Sequence, residues 1–397
     1  MPEAALLDLK VLDLTHFIAG PYCTRFLAGL GAEVVKIEKP DGDGARRIGP
    51  FPNDVPDLEK SGLFLYLNQN KLGITLNLKT ETGVKIFKEL VKDADILVEN
   101  FSPRVMPSLG LDYERLEKIN PRLVMVSISN FGQTGPYRDY KAADIIEYAL
   151  GGLMYITGQP EREPLKNGGN LAQYGTGLHA FVATLSALYC AQTMGIGQQV
   201  DISIMECVAS IIETQDMAWI YQGDLRKRAG QGTRFGWGPT PAKDGFVSVA
   251  LNPPRRVAQA LPKLVGDPAL EDPKFFGRAR TPEVAEELER IVRPWFAEHE
   301  KEEIYHAAQK LGMPVGYLAN AADLFKSPQL KAREYFAEVD HPRAGKLAYP
   351  TSGVKMSETP WQVGRAPVLG EHNEEIYCGR LGYTKEDLVR LRERGIV

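Results

Sequence analysis

Residues 10–38 read KVLDLTHFIAGPYCTRFLAGLGAEVVKIE, and this stretch sets the architecture. Lys10-Val-Leu-Asp-Leu14 is an apolar run of the length expected for a buried strand. Ala19-Gly20-Pro21 then opens a helix in which Cys23, Phe26, Leu27 and Leu30 fall on one face. Gly31-Ala32-Glu33 turns the chain into a second apolar run, Val34-Val-Lys-Ile37. Strand, helix and strand in this order form a βαβ unit, which implies a parallel sheet with a right-handed crossover. Gly20 and Gly31 serve helix entry and exit. No G-x-G-x-x-G is present, so a dinucleotide fingerprint is not supported.

The same alternation continues on both sides of a Pro-rich loop at residues 50–60. After Glu38 comes a polar loop, Lys39-Pro-Asp-Gly-Asp43, which also carries Arg46 and Arg47. Further strands are expected at Gly73–Asn77, Ala94–Glu99 and Leu123–Ser129, with helices at Thr80–Val91 and Tyr113–Ile119. Loops of special composition, Asn100-Phe-Ser-Pro-Arg104 and Asn130-Phe-Gly-Gln-Thr-Gly-Pro136, follow two of the strands. The expected fold class is α/β, an open parallel sheet whose ligands bind at the strand C-terminal ends. Farther on, Lys166–Gly195 reads KNGGNLAQYGTGLHAFVATLSALYCAQTMG. Leu178, Phe181, Val182, Leu185 and Leu188 recur at helical spacing, and Ala183 and Ala187 leave room for close packing. The run is too short to span a bilayer, so a buried core helix is expected, with His179 a core histidine. Gln173 lies at or near its N-terminus, where a carboxylate or an anion is electrostatically favoured.

The chain has 397 residues, enough for two domains, and is 44% hydrophobic and 25% charged, ordinary for a soluble globular protein. A formal net charge of −4 gives no reason to expect a nucleic-acid or membrane partner. The first apolar run contains acidic residues and lacks a basic leader, unlike a signal peptide. Four scattered cysteines read as free thiols in a reducing cytoplasm. Cysteines and histidines show no ligand spacing, so no metal is expected, and there is no nucleophile elbow.

Several segments resemble the class III CoA-transferase family, which includes formyl-CoA:oxalate and carnitine CoA-transferases and the α-methylacyl-CoA racemases. They are VLDLTHFIAGPYCTRFLAGLGAEVVKIEKPDGD, NQNKLGITLNLK, VENFSP and FGQTGPYRDYKAADIIEYALGGLMYITG. GIGQQVDISIMECVAS, GMPVGYLANAADLFKSPQLKAREYFAEVDHPRAGKL and APVLGEHNEEIYCGRLGY extend the likeness to nearly the whole chain. The resemblance is weakest at residues 215–310.

The resemblance implies a Rossmann-like large domain (residues 1–220), a smaller α+β domain (225–335) and a C-terminal return to the large domain (340–397). It also implies two subunits threaded like linked rings. The residues fit on their own terms. Gly230–Pro241 is loop-rich, Asp244-Gly245 is a turn between apolar runs, residues 282–312 are charged helices, and Asp340-His341-Pro342 starts the return.

By resemblance, CoA or an acyl-CoA meets Phe17, Ile18, Lys39, Leu76, Lys79, Asn100, Phe101 and Lys141. Three of these are cations suited to phosphate. Arg104 is added because Ser108 stands where the family carries an arginine. The family's nucleophile is an aspartate that attacks the acyl-CoA thioester, and a carboxylate suits this because it can both attack and leave. Gln173 stands at that aspartate's position, and a carboxamide cannot form the same anhydride.

Three readings stay open. The chain is the non-nucleophilic subunit of a heteromeric CoA-transferase, similar to succinyl-CoA:benzylsuccinate CoA-transferases, beside a paralogue bearing the aspartate. Alternatively it is a homodimeric enzyme using another carboxylate, with Asp144 the nearest candidate against a plain helix N-cap role. Or it is an acyl-CoA-binding scaffold without turnover. The racemase branch is disfavoured, because Ala143 stands at its histidine position.

Overall fold

The computed structural model describes residues 4–212, 215–228, 238–250, 254–276 and 281–397. Two compact units divide the chain. One is Met1–Tyr155, Lys166–Leu225 and Lys331–Val397, and the other is Ile156–Leu165 and Arg226–Leu330.

The first unit holds a six-stranded sheet of β1 (Lys10–Asp13), β2 (Glu33–Glu38), β3 (Leu72–Thr75), β4 (Ile96–Glu99), β5 (Val124–Ser129) and β6 (Gln198–Ser203). Every pairing is parallel and the order is β3-β2-β1-β4-β5-β6. The α/β class expected from the opening stretch is what the chain forms. The helices between strands are α1 (Ala19–Gly29), α2 (Gly62–Leu67), α3 (Glu81–Val91), α4 (Val105–Ser108), α5 (Tyr113–Leu116), α6 (Asp144–Leu150) and α7 (Leu171–Met194). After β6 come α8 (Ile204–Ala209) and α9 (Gln215–Gln222). α5 ends a turn short of the expected Ile119.

Strand alternation sends neighbouring side chains to opposite faces, and the two faces have separate cores. Val11, Val34, Ile96, Val98, Val124 and Val126 pack with Cys23 and Leu27 of α1 and Ala180 and Ala187 of α7. Leu12, Val35, Ile37, Leu97 and Met125 pack with Ile86 and Phe87 of α3 and with the C-terminal segment.

α7 departs from expectation in which side it buries. Its contact face is a stripe of small residues, Ala172, Thr176, Gly177, Ala180, Thr184, Ala187 and Ala191, joined by Leu188. Leu178 and Val182 point outward at 42% and 62% exposure, and His179 is exposed rather than in the core. The reason is proximity to α1: a methyl group at Gly177 would stand 2.7 Å from the Ala19 carbonyl oxygen. Small residues let the two helices approach that closely, so the large ones are turned away. Gly195, at φ +74°, closes the helix in the left-handed conformation glycine tolerates.

In the second unit, β7 (Pro239–Ala242), β8 (Gly245–Val249) and β9 (Val315–Tyr317) form an antiparallel sheet in that order. α10 (Pro254–Val265), α11 (Pro282–Glu298) and α12 (Lys301–Lys310) enclose a core with Val247, Leu261, Leu288, Phe296 and Ile304. Residues 230–237 of the expected Gly230–Pro241 loop lie outside the described residues, and Pro239 already belongs to β7. α13 (Ala321–Lys326) and α14 (Pro328–Ala332) follow. The chain then forms the hairpin of β10 (Phe336–His341) and β11 (Gly345–Pro350), and α15 (Lys385–Glu393) closes the first unit. Among the described residues no helix is long and apolar enough to cross a membrane.

Candidate functional site

In the order β3-β2-β1-β4-β5-β6, the chain reverses its direction of travel across the sheet between β1 and β4. Open α/β sheets bind ligands at such a switch point, outside the strand C-termini. The loops leaving β1 and β4 meet there. Asn100 accepts a hydrogen bond from the His16 N–H (2.7 Å) and returns one to the His16 carbonyl (2.9 Å). The His16 and Phe101 rings meet edge to face with centroids 5.0 Å apart.

Phe17, the next residue, is 47% exposed and held at φ +56°, a conformation costly for a residue with a side chain. Asp43 holds this turn, accepting from the Phe17 N–H (3.4 Å) and the Lys36 ammonium (3.0 Å). The Phe17 ring lies against Gly44, where a Cβ would come within 2.6 Å of it. Ile18 is buried at the start of α1.

Beneath the turn lies a buried ionic network. Asp13 of β1 accepts from Thr24 Oγ1 (2.6 Å) and Lys71 Nζ (2.9 Å), and Lys36 Nζ stands 3.9 Å away. Burial alone would favour the neutral acid, but Lys71 and Lys36 hold the Asp13 carboxyl well below the usual range. Lys71 donates also to the Pro21 carbonyl (3.1 Å), Thr24 Oγ1 (2.8 Å) and Asn68 Oδ1 (2.9 Å), so its charge is well satisfied.

At the ends of β4 and β5 lies a cavity of about 400 Å³ lined by Asn100, Phe101, Arg104, Ser129, Asn130, Arg138, Asp139, Tyr140 and Lys141 among others. Four of the expected contacts, Asn100, Phe101, Arg104 and Lys141, therefore share one pocket. Arg104 grips Asp139 through two hydrogen bonds (2.8 and 2.6 Å), which hold that carboxyl down at about 2. Arg138 and Lys141 leave the pocket with a surplus of positive charge beside the rings of Phe101 and Tyr140. Under the pocket, burial raises Glu99 to about 7 despite hydrogen bonds from Ser127 and the Phe101 N–H (2.8 Å).

The other expected contacts are not in this pocket's lining. Lys39, after β2, is exposed and pairs with Asp41 (2.9 Å). Lys79, after β3, is exposed, and its N–H caps onto Asn77 Oδ1 (3.1 Å). Leu76 has its side chain in the core at 2% exposure, leaving only its main chain available to a ligand.

Gln173 lies in the first turn of α7, partly exposed. Its N–H points at Asp144 Oδ1 (3.3 Å), and its Nε2 donates to Glu147 Oε2 (2.8 Å). Asp144 is the first residue of α6 rather than its N-cap, which is Ala143, and its Oδ2 lies 2.8 Å from the Lys166 ammonium. Glu147 is fully buried. The Asn130 amide nitrogen donates to its Oε1 (2.9 Å), while the Asn130 oxygen accepts from the Ala142 N–H (3.1 Å). Burial raises the Glu147 carboxyl to about 7; the Gln173 hydrogen bond opposes the shift and the Asp144 charge adds to it.

Sequence reasoning missed Glu147, Asn130 and Lys166. The available signal was spacing, because Glu147 follows Asp144 by one helical turn on the same face. Asn130 belongs to the pocket lining as well, so it joins the cationic pocket to Gln173. Among the described residues, no group of three or more His, Cys, Asp or Glu side chains is placed to hold a metal ion.

Known proteins resemble this chain over its whole length. The chain is 35% identical to the formyl-CoA:oxalate CoA-transferase of Streptomyces coelicolor, with all of both chains covered. It is 33% identical to the succinyl-CoA–D-citramalate CoA-transferase of Chloroflexus aurantiacus (100% and 99% covered). It is 32% identical to a subunit of the succinyl-CoA:(R)-benzylsuccinate CoA-transferase of Thauera aromatica (96% of each). A crystal structure of a CaiB/BaiF family protein from Brucella suis superposes with a TM-score of 0.84 at 30% identity, covering 95% of this chain and all of that one. The profile of CoA-transferase family III matches residues 6–373, and with relatives collinear from end to end, the chain belongs to that family.

Proposed function

We propose that this chain is a subunit of a CoA-transferase that moves CoA from an acyl-CoA, such as succinyl-CoA, to an acceptor carboxylic acid. In this reading it is the non-nucleophilic subunit of an interlocked pair, beside a paralogue with aspartate at the position of Gln173. The observation that carries the reading is the state of position 173. The side chain at the N-terminus of α7 is a carboxamide, with its nitrogen hydrogen-bonded to buried Glu147. A neutral amide so held has no anionic oxygen with which to open a thioester at neutral pH.

The covalent step then belongs to the partner's aspartate. Its carboxylate oxygen adds to the thioester carbonyl and the CoA thiolate leaves, giving a mixed anhydride. The thiolate next attacks the aspartyl carbonyl and releases the donor acid as its carboxylate. The acceptor carboxylate then adds to the aspartyl-CoA thioester and expels the thiolate, which attacks the acceptor's carbonyl in the new anhydride, giving acceptor-CoA and the free aspartate. This chain's residues serve binding. Lys141 and Arg138 after β5, with Lys39 after β2 and Lys79 after β3, suit the phosphates of CoA, and Phe101 and Phe17 offer apolar faces to the rest.

Mass spectrometry of the complex purified from its source tests the reading, which expects a second chain of similar size bearing the aspartate. Calorimetry of the isolated chain should show salt-sensitive CoA binding, weakened by Lys79→Ala and Lys141→Ala. No CoA binding by the wild type removes the reading.

A homodimeric enzyme acting through Asp144 is a second reading, favoured by the place of Asp144 beside the Gln173 N–H. Its charge is already matched by Lys166, which lowers its value as a nucleophile. Turnover by the isolated chain that Asp144→Ala abolishes would select this reading. Binding without turnover, even with the paralogue present, would select the scaffold.

A further inference from the structure

The hydrogen bonds around Glu147 determine which face Gln173 shows to a ligand. The Asn130 amide is satisfied in one orientation, with its oxygen toward the Ala142 N–H (3.1 Å) and its nitrogen toward Glu147 Oε1 (2.9 Å). In that orientation Oε1 is an acceptor. Among the described residues the hydrogen-bond partner of Oε2 is Gln173, whose Nε2 it receives at 2.8 Å when Glu147 is ionised. The Gln173 oxygen then has no protein donor among the described residues, and the residue is partly exposed. In this state the residue offers an acceptor, the wrong partner for a carboxylate.

With Oε1 accepting from Asn130, a proton arriving on Glu147 sits on Oε2. From there it donates to the Gln173 oxygen once the carboxamide has turned by half a rotation, which points the NH2 group outward. One proton is taken from solvent, one amide turns, and no covalent bond changes.

The charges around the pair act in the same direction. Asp144 on α6 and Lys166 ahead of α7 cancel each other at 2.8 Å. The net charge beside Gln173 is therefore −1 with Glu147 ionised and zero with it protonated. From α8, which meets α6 where Val208 packs on Gly151, neither Glu206 nor Cys207 acts on Glu147; among charged groups Asp144 does.

We propose that Gln173 selects the substrate acid and that Glu147 positions it, so that a carboxylate binds through the Gln173 amide together with one proton held by Glu147. The inference rests on the CoA-transferase reading for the presence of an acid at this helix end. It names what this subunit contributes, a pH-set choice between a carboxylate and a hydroxyl- or amide-bearing ligand.

The test is calorimetry on the full chain saturated with CoA, with oxalate and succinate as separate probes, at pH 6 and pH 8 and in two buffers of different ionisation heat. Oxalate is fully ionised across this range, so its own titration does not intrude. With Glu147 titrating near 7, affinity for at least one acid should be roughly tenfold higher at pH 6, with nearly one proton taken up per acid bound at pH 8. Glu147→Gln should bind with pH-independent affinity and no proton uptake. Gln173→Met, a change at a partly exposed position, should lose acid binding at both pH values.

Equal affinity at pH 6 and pH 8 without proton uptake overturns the proposal, as does undiminished binding by Gln173→Met or failure of both acids to bind the CoA-loaded chain. Each of these leaves the CoA-transferase reading standing. Absence of CoA binding, by contrast, removes that reading and this inference together.

Discussion

In the proposed reading, replacing Gln173 by aspartate restores a nucleophile in name, but the structure sets what form it takes. The new carboxylate would face Glu147 Oε2, which now receives Gln173 Nε2 at 2.8 Å. Allowing for the shorter side chain, two charges about 4 Å apart at an effective dielectric constant near 20 repel by about 4 kcal/mol. That equals about three pKa units for whichever group titrates second. Glu147 already titrates at about 7 and takes the shared proton, so its loss moves to roughly pH 10. Between pH 7 and 9 the variant pair still carries one negative charge, now on the introduced aspartate, with the Glu147 O–H donating to it.

Two consequences are measurable. The introduced carboxylate is ionised and should form an adduct with a reactive acyl-CoA, read as a mass increase and as hydroxylamine trapping at position 173. Stability should also diverge with pH. The native pair holds a proton that the unfolded carboxyl releases near 4.5, so stability falls as pH rises until the folded group titrates. For the wild type that fall ends near pH 7. For the variant it continues to about pH 10, so denaturant unfolding should show a gap between the two that opens by about 4 kcal/mol from pH 7 to pH 10. A gap of the same size at both pH values refutes the coupling. A variant that binds acyl-CoA yet never labels at position 173 refutes the placement of the nucleophile.

Three further outcomes follow from the same structure. Glu99, raised to about 7 by burial, binds more protons folded than unfolded between pH 4.5 and 7, so its contribution to stability is lost as pH rises through that window. Glu99→Gln should match the wild type near pH 4.5 and exceed it by at most about 3 kcal/mol at pH 8 in denaturant melts. Asp13→Ala leaves Lys71 without its carboxylate in the interior, Lys36 keeping Asp43, and should lower stability by roughly 3–5 kcal/mol in urea unfolding; a loss below about 1 kcal/mol would contradict the network. Gly177→Ala forces α7 away from the Ala19 carbonyl and should cost roughly 1–3 kcal/mol, visible as a lowered Tm, with Gly175→Ala, where a Cβ meets nothing within 4 Å, as the tolerated control.

The order of strands and helices was legible in the chain because each is written locally. Val11 to Ile37 alternates strand, helix and strand with glycine at the bends, and that pattern leaves only a parallel, right-handed arrangement. The loops at Asn100–Arg104 and Asn130–Pro136 were legible as ligand loops for the same reason, since they follow strands. Their meeting in one pocket matches what an open α/β sheet requires of strand C-terminal ends.

What the chain did not announce depends on partners remote in sequence. Arg46 reads as a solvent-facing loop cation beside Arg47, yet it is wholly buried in a two-point grip on Glu38 (2.7 and 2.7 Å). The buried side of α7 was misjudged because hydrophobicity favours Leu178 and Val182, whereas the closeness of α1 favours the small residues. Glu147 is the sharpest instance. By type it is a helix-surface glutamate, and only the approach of Asn130 and Gln173, from the end of strand β5 and from helix α7, makes it a buried carboxylate titrating near neutrality. Local spacing determines which elements form. Distance and desolvation between elements, which no single stretch encodes, decide what the charged groups among them can do.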